Sequence, residues 1–170
     1  MAENNVPLSL VTDTLGIGTA RYHLNDVSPG AYDFYWLVVV DRKTLKVVAN
    51  AVTENQGVVP AEVKKYDGNN AYILVATSFQ MTCKNRPTGE LDTFLKANGA
   101  DIKYKALQQI AGLGGPQQDA RQFNYLLVSI MGQKSGIEAH SIGPDLLALP
   151  LELILEGDQY IPVDTYPLAG

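Results

Sequence analysis

Thr88-Gly89-Glu90-Leu91-Asp92-Thr93-Phe94-Leu95-Lys96-Ala97-Asn98-Gly99-Ala100 is followed, after a polar insertion, by Tyr125-Leu126-Leu127-Val128-Ser129-Ile130-Met131-Gly132. The first stretch is a short helix with its start and stop written in. Thr88 is placed to cap the N-terminus, Glu90 and Asp92 fall in the positive first turn, and Gly99 is placed as the C′ residue. Leu91, Phe94 and Leu95 share one face through i, i+3, i+4 spacing. The second stretch is a buried strand ending in a glycine. A helix of this size feeding such a strand is an element of a β/α sandwich, and neither part carries a catalytic signature.

Two more runs of the same kind lie upstream. Phe34-Tyr35-Trp36-Leu37-Val38-Val39-Val40 is nearly continuous in aromatic and β-branched residues, so the strand is expected to be covered on both faces. Asp41-Arg42-Lys43-Thr44 reads as a hairpin turn, and Leu45 to Val52 as the antiparallel return. Ala71 to Thr77 is a further buried strand after the turn Asp67-Gly68-Asn69-Asn70. Val59 to Tyr66 is short, with Pro60 suited to the first turn of a small helix.

Val6 to Tyr22, interrupted by Gly16-Ile17-Gly18, reads as two short strands or one bulged strand, and Ser28-Pro29-Gly30 as a turn. Tyr104 to Ile110 has room for another turn or two of helix, with Leu107 and Ile110 inward. Gly112 to Gln122 reads as an exposed loop. Gly143-Pro144 breaks the chain, Leu151 to Gly157 reads as a late strand, and Tyr160 to Val163 as a short extension. The fold class expected is α/β (α+β): a compact β/α sandwich of two sheets with a few short helices.

At 170 residues the chain is expected to form a single domain, residues 1–170, with residues 1–6 and 164–170 as loose ends. Hydrophobic residues at 46% and charged residues at 18% are those of an ordinary globular protein. A net charge of −5 and a pI near 4.9 argue against broad nucleic-acid binding, which needs a basic face. No apolar run approaches the ~20 residues of a membrane-spanning helix, so no membrane insertion is expected. The polar, acidic start Met1-Ala2-Glu3-Asn4-Asn5 does not read as a signal peptide. Cys83 stands alone, so neither an internal disulfide nor a cysteine-based zinc site is expected, and a half-buried thiol is the plain reading. There is no Asn-x-Ser/Thr acceptor.

Motifs that carry chemistry are absent. Gly132-Gln133-Lys134-Ser135-Gly136 lacks the glycines of a phosphate loop and reads as a polar turn. Gly16-Ile17-Gly18-Thr19-Ala20-Arg21 lacks the third glycine of a dinucleotide fingerprint. His23 and His140, the only histidines, lie in no zinc-binding pattern, and no G-x-S-x-G elbow exists. Glu152 and Glu156 share one strand face, which reads as solvated. No cofactor and no metal is expected. Nine tyrosines beside four phenylalanines and one tryptophan, Trp36, supply flat faces with a polar edge. Such groups suit sugar rings and protein partners, although each tyrosine taken singly reads as a cap on the core margin.

Four passages resemble the interleukin-like EMT-inducer family, also called PANDER-like. Trp36 to Val48 is similar to that family's hairpin of buried strand, short turn and return, and Asn70 to Thr77 to its central strand. Leu91 to Ala100 is similar to its helix ending in leucine-glycine, and Tyr125 to Glu138 to its strand leading into an Ile-Glu segment. The late strand followed by Ile161-Pro162 also fits. Tyr32-Asp33-Phe34-Tyr35 stand where the family usually has glycines, the paired cysteines of its secreted animal members are missing, and a loop near residues 112–122 is extra. The resemblance implies a two-sheet sandwich that acts as a secreted signal or a lectin-like, carbohydrate-binding module. The missing cysteines and signal peptide point to a bacterial or phage member.

The expectation is therefore a non-enzymatic module that binds a glycan or protein receptor within a phage tail, virion or bacterial surface assembly. An assembly or attachment domain that binds other subunits of the same particle is an alternative. A small hydrolase or transferase is another, and it requires His23 or His140 beside an acid and a hydroxyl. Sites on such folds gather where loops leave strand ends. Two loops, residues 80–88 and 132–136, offer Gln80, Asn85, Arg86, Gln133 and Lys134 as the binding set.

Overall fold

Trp36, Val38 and Val40 face one way and Tyr35, Leu37 and Val39 the other, and all six are buried. A strand like this has to be roofed on both sides, and the whole architecture follows from that need. The structure is a computed structural model describing residues 4–11, 14–17, 35–53, 55–113, 123–142 and 147–164. In chain order the strands are β1 (Asn5–Val11), β2 (Thr14–Ile17), β3 (Tyr35–Asp41), β4 (Val47–Thr53), β5 (Tyr72–Met81), β6 (Phe123–Ile130), β7 (Ile137–Ile142), β8 (Ala148–Glu156) and β9 (Gln159–Asp164). Helix α1 (Ala61–Lys64) lies between β4 and β5, and α2 (Gly89–Ala97) and α3 (Ile102–Leu113) lie between β5 and β6.

The described strands form two antiparallel sheets, ordered β2-β1-β8-β9 and β4-β3-β5-β6-β7. The three strands read as buried, β3, β5 and β6, are the centre of the five-stranded sheet. One of its faces packs Trp36, Val38, Ile73, Val75, Leu126 and Val128 against Val6, Leu8, Leu10, Leu149, Leu151 and Leu153 of the smaller sheet. The other packs Leu37, Val39, Leu74 and Leu127 against Leu91, Phe94, Leu95, Tyr104 and Leu107 of the helices. The protein is thus a compact α+β sandwich of two sheets, with the short helices on the outer face of the larger one.

Several boundaries differ from the sequence reading, each for a physical reason. Asn5 and Val6, expected in a loose end, pair with Ile154 and Leu153, and Val6 is buried. Asp164 likewise pairs with Leu151 as the last residue of β9. The opening segment forms two short strands, as one of the two readings had it, with Gly16 and Ile17 inside the second; Gly18 to Phe34, including the turn at Ser28-Pro29-Gly30, lie outside the described residues. Pro60 stands one position before α1, where its carbonyl accepts the amides of Val63 and Lys64. β5 runs four residues past Thr77, to Met81. β8 begins at Ala148 and takes in Pro150, which stands opposite Ser9 of β1.

Helix α3 continues to Leu113, so Gly112 belongs to it; residues 114–122 and Gly143-Pro144 fall outside the described residues. Its inward stripe is Tyr104, Leu107 and Ala111, whereas Ile110, expected inward, is 37% exposed. β7 was not legible as a strand. It pairs with β6 along its whole length and turns Ile137 and Ala139 toward the inter-sheet core.

Thr88 occupies the N-cap of α2 in extended conformation, but its side chain makes no capping hydrogen bond. At the other end Gly99 has φ +113°, and a Cβ there would collide with the Ser129 side chain. Asn98, fully buried just before it, ties the region together. Its Oδ1 accepts the amides of Gly68 and Gly132, each at 3.0 Å. Its Nδ2 donates to Asp67 Oδ1 at 2.7 Å and Phe94 O at 2.8 Å. Gly132, at φ +83°, lies so close to the Gly68 carbonyl that a side chain has no room.

Candidate binding cleft between the β5–α2 loop and helix α3

The loop after β5 is closed by its own side chains. Asn85 Oδ1 accepts from the Thr82 amide at 2.5 Å and the Thr82 hydroxyl at 3.0 Å, and the Asn85 amide donates back to Thr82 Oγ1 at 3.3 Å. The Tyr35 hydroxyl donates to the Asn85 carbonyl, and Gln56 Nε2 to the Lys84 carbonyl at 3.1 Å. A loop closed in this way is held in one shape before any ligand arrives. Asn85, expected as a ligand group, spends its oxygens on that closure.

Arg86 and Gln108 stitch the loop to α3 in both directions. Arg86 Nη1 donates to the Gln108 carbonyl at 3.2 Å, and Gln108 Nε2 donates to the Pro87 carbonyl at 2.8 Å. Gln108 Nε2 also donates to the Tyr104 hydroxyl at 2.8 Å, and that hydroxyl donates to Asp92 Oδ1 at 2.7 Å. Lys96 Nζ, one turn along α2, holds Asp92 Oδ2 at 2.7 Å. Burial, then the Asp92 carboxylate, raises the Tyr104 phenol well above its ordinary range, so it remains a donor.

Between these groups lies an open cleft of about 430 Å³. Arg86, Thr88, Asp92, Lys96, Gln108 and Gln109 supply its polar wall, and Pro87 is the one apolar side chain beside them among the described residues. Of these, only Arg86 belongs to the binding set read from the sequence, where Thr88 and Asp92 mark the start of α2. Asp92 and Lys96 carried one readable signal, their i, i+4 spacing on the helix face opposite Leu91 and Leu95. Gln108 and Gln109 had none, because nothing in their spacing says which loop α3 will meet.

Gln133 and Lys134 are not part of this cleft. β6 runs antiparallel to β5 with Ile130 beside Ile73, so the turn after β6 sits at the start of β5, and the loop with Arg86 sits at its end. The two are roughly 25 Å apart along the sheet at ordinary strand rise. Gln133 lines a separate hollow of about 370 Å³ with Ser135, Ile137, Ile161 and Pro162, while Lys134 is exposed. Gln80 stands near the end of β5, and its side chain lies outside the described residues. The expected set of five is therefore split between two poles.

Trp36 is not a surface platform. It is buried between the sheets with its indole nitrogen donating to Asn50 Oδ1 at 2.5 Å. Tyr35, Tyr104, Tyr125 and Tyr160 are buried too, and Tyr66 and Tyr72 are half-buried against each other with ring centroids 4.5 Å apart. Cys83 is a free, half-buried thiol. His140 is exposed on β7 opposite Tyr125, and none of the four ion pairs among the described residues includes it. His23 lies outside the described residues. Among the described residues no three His, Cys, Asp or Glu side chains gather as a metal site would need. Neither a protein-family model nor a curated protein matches the chain.

Proposed function

We propose that the protein is a non-catalytic binding module that recognises a glycan or surface receptor as part of a phage tail or bacterial surface assembly. The observation that carries this reading is the cleft at Arg86. It is concave, of a size ordinary for small-ligand sites, and built from donors and acceptors already fixed by hydrogen bonds to α2 and α3. Preorganisation of this kind lowers the entropy cost of binding a polar ligand. The resemblance to the interleukin-like EMT-inducer family lends further support, since it implies lectin-like members on a two-sheet sandwich.

A glycan array, followed by titration of the best ligand, tests the reading. Arg86→Ala is expected to weaken binding by ~1.5–3 kcal/mol, the worth of a hydrogen bond to a charged group. Because Arg86 also holds the Gln108 carbonyl, the substitution is expected to cost about 1 kcal/mol of stability. Unchanged affinity for a verified ligand would remove Arg86 from the site.

A second reading, an attachment domain within a larger particle, is favoured by the opposite pole. Two hollows flank the turn after β6, and Ile102, Ile137, Ile161 and Pro162 line them, with Ile102 76% exposed. A contiguous apolar surface of this kind suits a protein neighbour. Silence on every glycan together with tight binding to a structural protein of the same particle would favour it. Loss of that binding in Ile102→Glu would place the contact here.

A further inference from the structure

Among the described residues, Arg86 is a cation without an anion. The described ion pairs join Lys43 to Asp158, Lys64 to Glu90, Lys96 to Asp92 and Lys105 to Asp101. Arg86 takes part in none of them, in a chain whose net charge is −5. Its one hydrogen bond among the described residues runs from Nη1 to the Gln108 carbonyl. That bond fixes the planar guanidinium at the wall of the cleft and leaves its other N–H groups for a ligand. The one carboxylate among the described residues lining the cleft, Asp92, is already matched by Lys96 and by the Tyr104 hydroxyl. An incoming acid therefore meets one uncompensated positive charge with fork geometry, the arrangement that recognises a carboxylate in bidentate fashion.

The rest of the wall narrows the ligand class. Gln109 and Thr88 offer an amide and a hydroxyl, and Pro87 is the one apolar side chain among the described residues that line the cleft, a small flat face beside the polar groups. Such a wall suits a hydroxyl-rich molecule. Resting on the binding-module reading above, we infer that the cleft takes an acidic saccharide. Its sugar carboxylate sits on Arg86 and its hydroxyls on the Gln109 and Thr88 side chains.

The test titrates the full chain with two probes that differ only at the acid, a galacturonate oligomer and its methyl ester. The expected result is binding of the acid, with the ester about 10- to 100-fold weaker, the loss of one charge-assisted bidentate contact. Arg86→Gln is expected to remove that preference, and Arg86→Lys to restore part of it. A thermal melt of each variant checks folding. Should Arg86→Gln fail to fold, Lys96→Gln decides, since it leaves the Asp92 charge unmatched in the cleft and should weaken the acid several-fold. Equal binding of acid and ester overturns the inference and leaves the glycan reading standing. So does an array on which only neutral sugars bind. A chain that ignores both probes and every arrayed glycan, yet binds a peptide through its free carboxylate, overturns both.

Discussion

At the scale of single residues, Asn98 shows how much one buried amide can hold. It joins the end of α2 to the turn at Asp67-Gly68 and to the turn at Gly132 through four hydrogen bonds, with no exposed surface of its own. Asn98→Ala removes all four of these bonds, two of them to part-buried amides, so a loss of about 2–3 kcal/mol is expected in denaturant unfolding. A loss under ~1 kcal/mol would mean that water can reach those amides. Leu74 and Leu127, both fully buried beneath the helices, test the core. Truncation of either to alanine is expected to cost ~2–5 kcal/mol through lost transfer energy and the cavity left behind. Two of the buried phenols give a pH signature. Burial raises Tyr104 and Tyr125 above the ordinary value of 10.0, with Asp92 and Glu138 respectively adding to the effect. The unfolded chain therefore releases these protons first, and their contribution to stability is whole below pH 10 and declines above it. Tyrosinate absorbance should show two phenols that ionise only with unfolding, and Tyr125→Phe should flatten the alkaline loss.

Among the elements, α3 owes its start to a strand. Glu138 on β7 reaches across to accept the amides of Asp101 at 3.1 Å and Tyr104 at 3.0 Å through one carboxylate oxygen, and Lys103 at 3.4 Å through the other. The Tyr125 hydroxyl donates to the same carboxylate at 2.6 Å. A carboxylate there satisfies open amides and meets the positive end of the helix. Glu138→Ala is expected to cost about 1–2 kcal/mol and to speed hydrogen exchange at residues 101–104, with Glu138→Gln intermediate. Exchange unchanged at those amides would rule the cap out. This cap also marks the limit of what the sequence discloses. Helix α2 was legible because its capping position, apolar stripe and Gly99 all lie within one short window. The three central strands were legible because burial on both faces writes a continuous apolar run. β7 was not, since an edge strand with Glu138, His140 and Ser141 in it shows little periodicity. The cleft was half legible: Arg86 stood out as a loop donor. Its company of Asp92, Lys96 and Gln108 depends on how α3 folds back over α2, and its distance from Gln133 depends on strand direction. Neither is encoded in local spacing.

In the molecule as a whole, the two sheets are pinned at one corner by Arg42. Its guanidinium is buried and donates to the Tyr160 carbonyl at 2.9 Å and the Asn70 carbonyl at 2.6 Å, and the Tyr160 amide returns a bond to the Arg42 carbonyl at 2.8 Å. Burial lowers its pKa, while the charges of Glu156 and Asp158 act the other way. Arg42→Met keeps the bulk but removes both of these hydrogen bonds, so a loss of about 2–3 kcal/mol is expected in denaturant unfolding. Faster hydrogen exchange should be confined to β9 and the turn at residues 67–71. The smaller sheet has a further consequence, a mechanical one. β1 and β9 flank β8, both antiparallel to it, so they run in the same direction. Tension applied at Asn5 against Asp164 drags them opposite ways along β8, and the hydrogen bonds of both ladders, lying across the strands, share the load at once. Handles at Ala148 and Asp164 instead peel β9 away one rung at a time. Single-molecule pulling is expected to need distinctly higher force along the first axis than the second.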